Sequence, residues 1–201
     1  GPDSMVDRNG QPAVTTDRAQ PAILWSQPLG DPMGGTEIAS GRAPVKMIEP
    51  EAVDKLPARV PLVVTGLLQY SDAALRAYAH PSLMAIAASV LGEDFVPFSD
   101  AVIIKKPHEG GSFAWHQDGT THWDSPAWDP GIHGVNLMLQ LYQCTAANAL
   151  WYGPVSHLTG RVDSKMLVAE TGSNRLAQAV PAICKPGDVC FSNRQVLHAS
   201  F

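Results

Sequence analysis

The sequence predicts a mainly β protein, a jelly-roll, cupin-like barrel with helices as buttresses on its N-terminal side. Three observations carry that expectation. Short apolar runs separated by Gly/Pro turns fill the chain after Pro97; helical periodicity is confined to about residues 71–92; and Val135 to Tyr142 alternates apolar and polar residues as a cavity-lining strand does. At 201 residues the chain is long enough to bury one core without disulfide or zinc staples.

Taken in order, Gly1-Pro2-Asp3-Ser4 ahead of Met5 reads as a protease scar, and the stretch to about residue 60 as an irregular arm rich in Pro and Gly. Its apolar pieces are short, such as Ala22-Ile23-Leu24-Trp25. Residues 61–201 then form a single domain. Ser71 is an N-cap for a helix over Asp72 to Ala79, and the chain restarts at His80-Pro81 with proline suited to a first turn. Leu83, Ile86 and Val90 make one apolar stripe, and Gly92 stands where a C-cap glycine would. The barrel occupies about residues 97–201. Ala101 to Lys106 reads as a strand, His108 to Ser112 as a turn, and Phe113 to Asp118 as the next strand.

Gly119 to Gly134 is a long loop carrying His122, Trp123, Trp128 and His133, and a loop of that length in a compact domain points to function. Leu150-Trp151-Tyr152 is a short strand and Asp163 to Glu170 a short helix. Ala179 to Cys184, a Lys185-Pro186-Gly187-Asp188 turn, Val189 to Phe191 and the run into His198 return the chain to β structure.

The net charge of −5 argues against nucleic acid or an anionic membrane as partner. There is no apolar run near the ~18 residues of a membrane span and no signal-peptide pattern. A small-molecule substrate, and a monomer or homodimer acting on it, is the expectation. Cys144, Cys184 and Cys190 lie in apolar runs without zinc-site pairing, and read as reduced core residues of a cytoplasmic protein.

The chemistry gathers on Trp115-His116-Gln117-Asp118. On a strand, His116 and Asp118 share one face and Gln117 takes the other. An imidazole and a carboxylate so placed can hold adjacent positions on a divalent metal, and a third ligand completes the facial triad of non-haem Fe(II) oxygenases, which leaves positions open. His198 supplies that ligand from another strand-like run. Alone, a His-x-Asp occurs often by chance. Asn136 and Gln140, on the polar face of their strand, are assigned to cosubstrate or substrate, the alternative being ordinary barrel hydrogen bonding. Trp123 and Trp128 are assigned to the substrate pocket wall, and Lys105 to attraction of a carboxylate, against a plain solvent-facing edge lysine.

Four segments in order resemble one family, the phytanoyl-CoA dioxygenase-like Fe(II)/2-oxoglutarate oxygenases. Trp115-His116-Gln117-Asp118 is similar to its His-x-Asp strand. Asn148 to Gly160, with Gly153-Pro154-Val155-Ser156-His157, is similar to its "Asn-Gly … Pro-Gly-Ser-His-x-x-Gly" segment. Pro186-Gly187-Asp188-Val189 is similar to the turn before the last ligand, and His198-Ala199-Ser200 to the distal His-Gly-Ser. The resemblance implies a double-stranded β-helix core, Fe(II), and O2-dependent oxidative decarboxylation of 2-oxoglutarate to succinate and CO2. It implies His116, Asp118 and His198 as metal ligands and Ser200 as a contact to the distal carboxylate of 2-oxoglutarate. A carboxylate at Asp118 points to hydroxylation or a related oxidation and away from halogenation.

Two departures stand out. Ala149 replaces the glycine after Asn, and Gly153-Pro154-Val155 alters the Pro-Gly order, so that loop is expected to be rebuilt. The family's 2-oxoglutarate arginine is expected beyond Phe201, on a last barrel strand that the sequence given lacks, with Arg161 and Arg194 as in-chain alternatives. Two other functions fit the same residues: a cupin-like Lewis-acid metal enzyme that ignores 2-oxoglutarate, and a barrel that binds a small molecule without turnover.

Overall fold

The computed structural model describes residues 22–26, 57–96, 98–106, 109, 113–118, 134–146, 148–171 and 176–200. Among the described residues, those up to Glu109 fall in one compact unit and those from Phe113 onward in a second. That division falls inside the 61–201 stretch read from sequence as one domain.

In the first unit, β1 (Ala22–Ser26), β2 (Val60–Thr65) and β3 (Ala101–Ile103) form an antiparallel sheet in that order. The apolar piece at Ala22 to Trp25, read from sequence as part of an irregular arm, is therefore a strand. The β1–β2 register shifts between Leu24 and Trp25, where Trp25 faces Pro61, a residue with no N–H to give the ladder. Val60, Leu62 and Val63 are buried, and the Arg59 guanidinium lies 5.2 Å from the centroid of the Trp25 ring. β2 carries no sequence signal beyond its β-branched residues, because it lies between a proline-rich segment and the first helix.

Helix α1 (Asp72–Tyr78) starts as predicted, with Ser71 Oγ accepting from the Ala74 N–H at 3.2 Å. Helix α2 (Pro81–Leu91) has proline in its first turn and Gly92 at its C-cap with φ 87°. The predicted stripe is rotated. Ile86 and Val90 are 41% and 37% exposed, whereas Ala87 is buried and Leu83, Met84, Ala88 and Leu91 are partly so. The less exposed face thus runs through Leu83, Met84, Ala87, Ala88 and Leu91, one helical stripe turned from the predicted one.

In the second unit, β4 (Phe113–His116), β9 (Leu197–Ser200), β6 (Leu150–Gly153) and β7 (Val180–Pro181) form one antiparallel sheet in the order β4-β9-β6-β7. A second sheet pairs β5 (Val135–Leu139) with β8 (Val189–Asn193). Helix α3 spans Ser164–Thr171. The β-rich jelly-roll class is as predicted, although among the described residues no ladder closes these sheets into a barrel. Trp115, Val168, Leu176, Leu197 and Ala199 form one core cluster, and Cys144, Ala149 and Cys184 a second.

The turn before β8 forms as its sequence predicts. Asp188 Oδ2 accepts from the Lys185 N–H at 2.8 Å, Gly187 takes φ 91°, and the Gly187 N–H donates to Gln140 O at 2.8 Å. Among the described residues the Pro154-Val155 turn carries the non-glycine positive φ: Val155 has φ 56°, left-handed backbone that a β-branched residue adopts at a cost. The loop accommodates valine in glycine's conformation at the position the family pattern gives to glycine.

Candidate metal centre

The site is built on one strand pair. His116 on β4 and His198 on β9 are Cα partners, so both side chains leave the same face of the sheet. Trp115, Leu197 and Ala199 point the other way, into the core, which fixes that direction through strand alternation. Asp118 follows the end of β4, where its N–H donates to Arg194 O at 2.9 Å. β9 lies between β4 and β6, and every residue from Leu197 to Ser200 is buried.

The hydrogen bonds orient the rings. His116 Nδ1 lies 2.7 Å from Ala114 O, and His198 Nδ1 lies 2.9 Å from Val196 O. A carbonyl oxygen can only accept, so each Nδ1 carries the proton and each Nε2 turns a lone pair the other way. Those Nε2 atoms lie 3.5 Å (His116) and 3.7 Å (His198) from the two oxygens of Asp118, and the ring centroids are 4.2 Å apart. One ligand atom from each of the three residues falls within 4.8 Å of the others. A cluster of two lone pairs and a carboxylate, with both ring donors committed elsewhere, is completed by a cation. Two imidazole nitrogens and one carboxylate suit Fe(II).

The surroundings shift two of the three groups. Burial alone would raise the Asp118 carboxyl, but the adjacent His116 and His198 rings and the Asn136 amide hold it down to about 2. His198 is lowered below the usual histidine range, first by burial and then by His116, against the opposing pull of Asp118.

The predicted site residues divide. His116, Asp118 and His198 come together. Asn136 reaches the same cluster, its Nδ2 donating to Asp118 Oδ2 at 2.5 Å. Ser200 is buried two residues past His198, on the same strand face. Gln140 is engaged elsewhere: its Oε1 accepts from the Cys144 thiol at 3.0 Å and its Nε2 lies 3.8 Å from Cys190 Sγ. Lys105 follows β3 in the first unit. Trp123, Trp128, His108, His122 and His133 lie outside the described residues.

Three supports went unread in the sequence. Gln117, 3% exposed, donates from Nε2 to Gln195 O at 2.7 Å and Gly160 O at 3.1 Å, and accepts from the Val162 N–H at 2.8 Å. It joins the ligand-bearing end of β4 to the approach to β9. Ser156 Oγ accepts from the Leu197 N–H at 2.8 Å and donates to Gly153 O at 2.6 Å, seating β9 next to His198. Tyr152, the Cα partner of His198 on β6, has its ring centroid 6.0 Å from that imidazole. Burial pushes its phenol up to about 12 despite a hydrogen bond with Ser192, so it is a neutral hydroxyl beside the centre. The glutamine between the ligands and the serine before His157 were signals in plain view, but their partners are far along the chain.

A β-rich jelly roll that brings a His-x-Asp pair and a distal histidine together provides a three-residue candidate metal site of the kind that non-haem Fe(II) oxygenases use. The model for the family described as phytanoyl-CoA dioxygenase (PhyH) matches residues 49–201, and the chain belongs to that family. Among solved structures, the crystal structure of EvdMO1 is similar with TM-score 0.55 and 23% identity, over 90% of this chain and 44% of that one. The crystal structure of AviO1 from Streptomyces viridochromogenes Tue57 is similar with TM-score 0.54 and 20% identity, over 92% of this chain and 88% of that one. The chain therefore spans less than half of EvdMO1, and both likenesses concern the fold. No curated protein sequence matches it. Among the described residues no helix is long and apolar enough to cross a membrane.

Proposed function

We propose that the protein is an Fe(II)- and 2-oxoglutarate-dependent oxygenase that hydroxylates a C–H bond of a small molecule, releasing succinate and CO2. The convergence of His116 Nε2, His198 Nε2 and the Asp118 carboxylate, with both Nδ1 protons turned away, carries the reading. Bound Fe(II) supplies the oxidising chemistry, with O2 as oxidant and 2-oxoglutarate as the source of two electrons.

The chain's own residues do the rest. His116, Asp118 and His198 hold the metal on one side, and the backbone carbonyls of Ala114 and Val196 fix the tautomer and tilt of the imidazoles. Ser200 offers a hydroxyl to the distal carboxylate of 2-oxoglutarate, which its burial beside His198 supports. Tyr152, neutral and next to His198, is a further polar group for the same region. Trp123, Trp128 and Lys105 remain assigned to substrate, and a monomer or homodimer in the cytoplasm remains the expected state.

Succinate formation tests the reading. The protein loaded with Fe(II) under air should convert 2-oxoglutarate to succinate, slowly alone and faster with its substrate, and a His198→Ala variant should not. Turnover of a substrate without 2-oxoglutarate would mark a Lewis-acid metal enzyme instead.

A further inference from the structure

The Asp118 carboxylate has two oxygens, and the structure treats them differently. Oδ2 accepts from Asn136 Nδ2 at 2.5 Å and lies 3.7 Å from His198 Nε2, whereas Oδ1 lies 3.5 Å from His116 Nε2 and has no amide partner among the hydrogen bonds described. Asn136 sits on β5 opposite Ser192 on β8, so its amide reaches Asp118 from the other sheet of the unit and not from the ligand-bearing strands. A short N–H···O⁻ hydrogen bond occupies a lone pair and withdraws charge from the oxygen that accepts it.

We infer that Asn136 is a positioning residue for the metal centre: its amide holds the Asp118 carboxylate by Oδ2, in the orientation that turns Oδ1 toward His116 Nε2 and Oδ2 toward His198 Nε2. The inference rests on the metal reading above and deepens it. A carboxylate without that bond is free to turn about its Cβ–Cγ axis and lose the alignment of its oxygens with the two imidazoles. One held by Asn136 stands in a fixed orientation toward the two Nε2 atoms. Partners of metal ligands that act this way typically cost about 10–100-fold in metal affinity when removed. The sequence assigned Asn136 to cosubstrate; the hydrogen bond assigns it to the ligand.

Co(II), which binds such sites without turnover, is the probe, and calorimetry on the metal-free protein is the measurement. Asn136→Leu has nearly the same volume and no donor. Asn136→Thr keeps a shorter hydroxyl donor and suits a strand. The expected order of Co(II) affinity is wild type above Asn136→Thr above Asn136→Leu, with Asn136→Leu weaker by about 10–100-fold. A role in packing alone would leave the Co(II) dissociation constants of all three within a factor of two, or would rank the leucine variant with or above the threonine variant, and either result overturns the inference. If Asn136→Leu does not fold, the comparison of Asn136→Thr with wild type decides, equal affinities overturning it. Loss of Co(II) binding in His116→Ala, measured alongside, separates the two claims. Wild-type binding indifferent to His116 sinks the metal reading itself, whereas normal dependence on His116 with unchanged Asn136 variants sinks only the positioning role.

Discussion

Replacing Gln117 by leucine removes three hydrogen bonds from a side chain that is 3% exposed, while nearly conserving volume. The Gly160 carbonyl lies on an exposed residue and can turn to water, but Gln195 is buried and Val162 half-buried, so Gln195 O and the Val162 N–H are left unpaired. An orphaned buried polar group costs about 1–3 kcal/mol. Two of them cost about 2–6 kcal/mol, because the leucine brings little apolar burial that the glutamine stem did not already supply. For a chain of this size each kcal/mol moves the midpoint by about 2–4 °C, so metal-free Gln117→Leu should melt roughly 4–24 °C below wild type. Differential scanning calorimetry at neutral pH is the assay. A midpoint within about 2 °C of wild type would refute the view that Gln117 joins β4 to the approach to β9.

Other expectations follow from the same geometry. Ser156→Ala strands the Leu197 N–H beside His198 and should cost about 1–2 kcal/mol in urea unfolding, with weaker Co(II) binding. Val155→Gly relieves left-handed strain at an exposed position and should stabilise by about 0.5–1 kcal/mol after the entropic cost of glycine; a destabilised variant would mean that valine is held there by packing. Burial and the Cys184 thiol 3.4 Å away push the Cys190 thiol up to about 12. Its thiolate fraction near pH 8 is then about three orders of magnitude below that of an ordinary cysteine, and iodoacetamide should label it only after unfolding. The sign for stability follows: a raised folded-state value favours the fold below the ordinary cysteine range, and this contribution is lost as pH rises from about 9 toward 12.

What the chain discloses by itself depends on how local the physics is. Ser71 capping α1, Pro81 opening α2 and the Lys185 to Asp188 turn were readable because each rests on residues a few positions apart. The clustering of His116, Asp118 and His198 was readable because strand alternation puts His116 and Asp118 on one face, and the family pattern points to His198. The rotation of α2 was not, since Leu83, Ile86 and Val90 satisfy the helical period as well as the face that is buried. Ala22 to Ser26 was missed as a strand because only pairing with Val60 to Thr65, far along the chain, makes it one. Asn136 was correctly placed on the polar side of its strand, yet which polar partner it meets depends on how the two sheets of its unit come together. Gln117 shows the same limit: its partners at Gly160, Val162 and Gln195 follow it by 43 to 78 positions.

An anaerobic titration of the metal-free protein with Fe(II) in the presence of 2-oxoglutarate addresses the main claim most directly. A weak visible charge-transfer band should grow to saturation at one iron per chain and be absent from both His116→Ala and His198→Ala. A band that persists in either variant, or its absence from wild type at saturating Fe(II), would contradict the assignment of His116, Asp118 and His198 as the iron site.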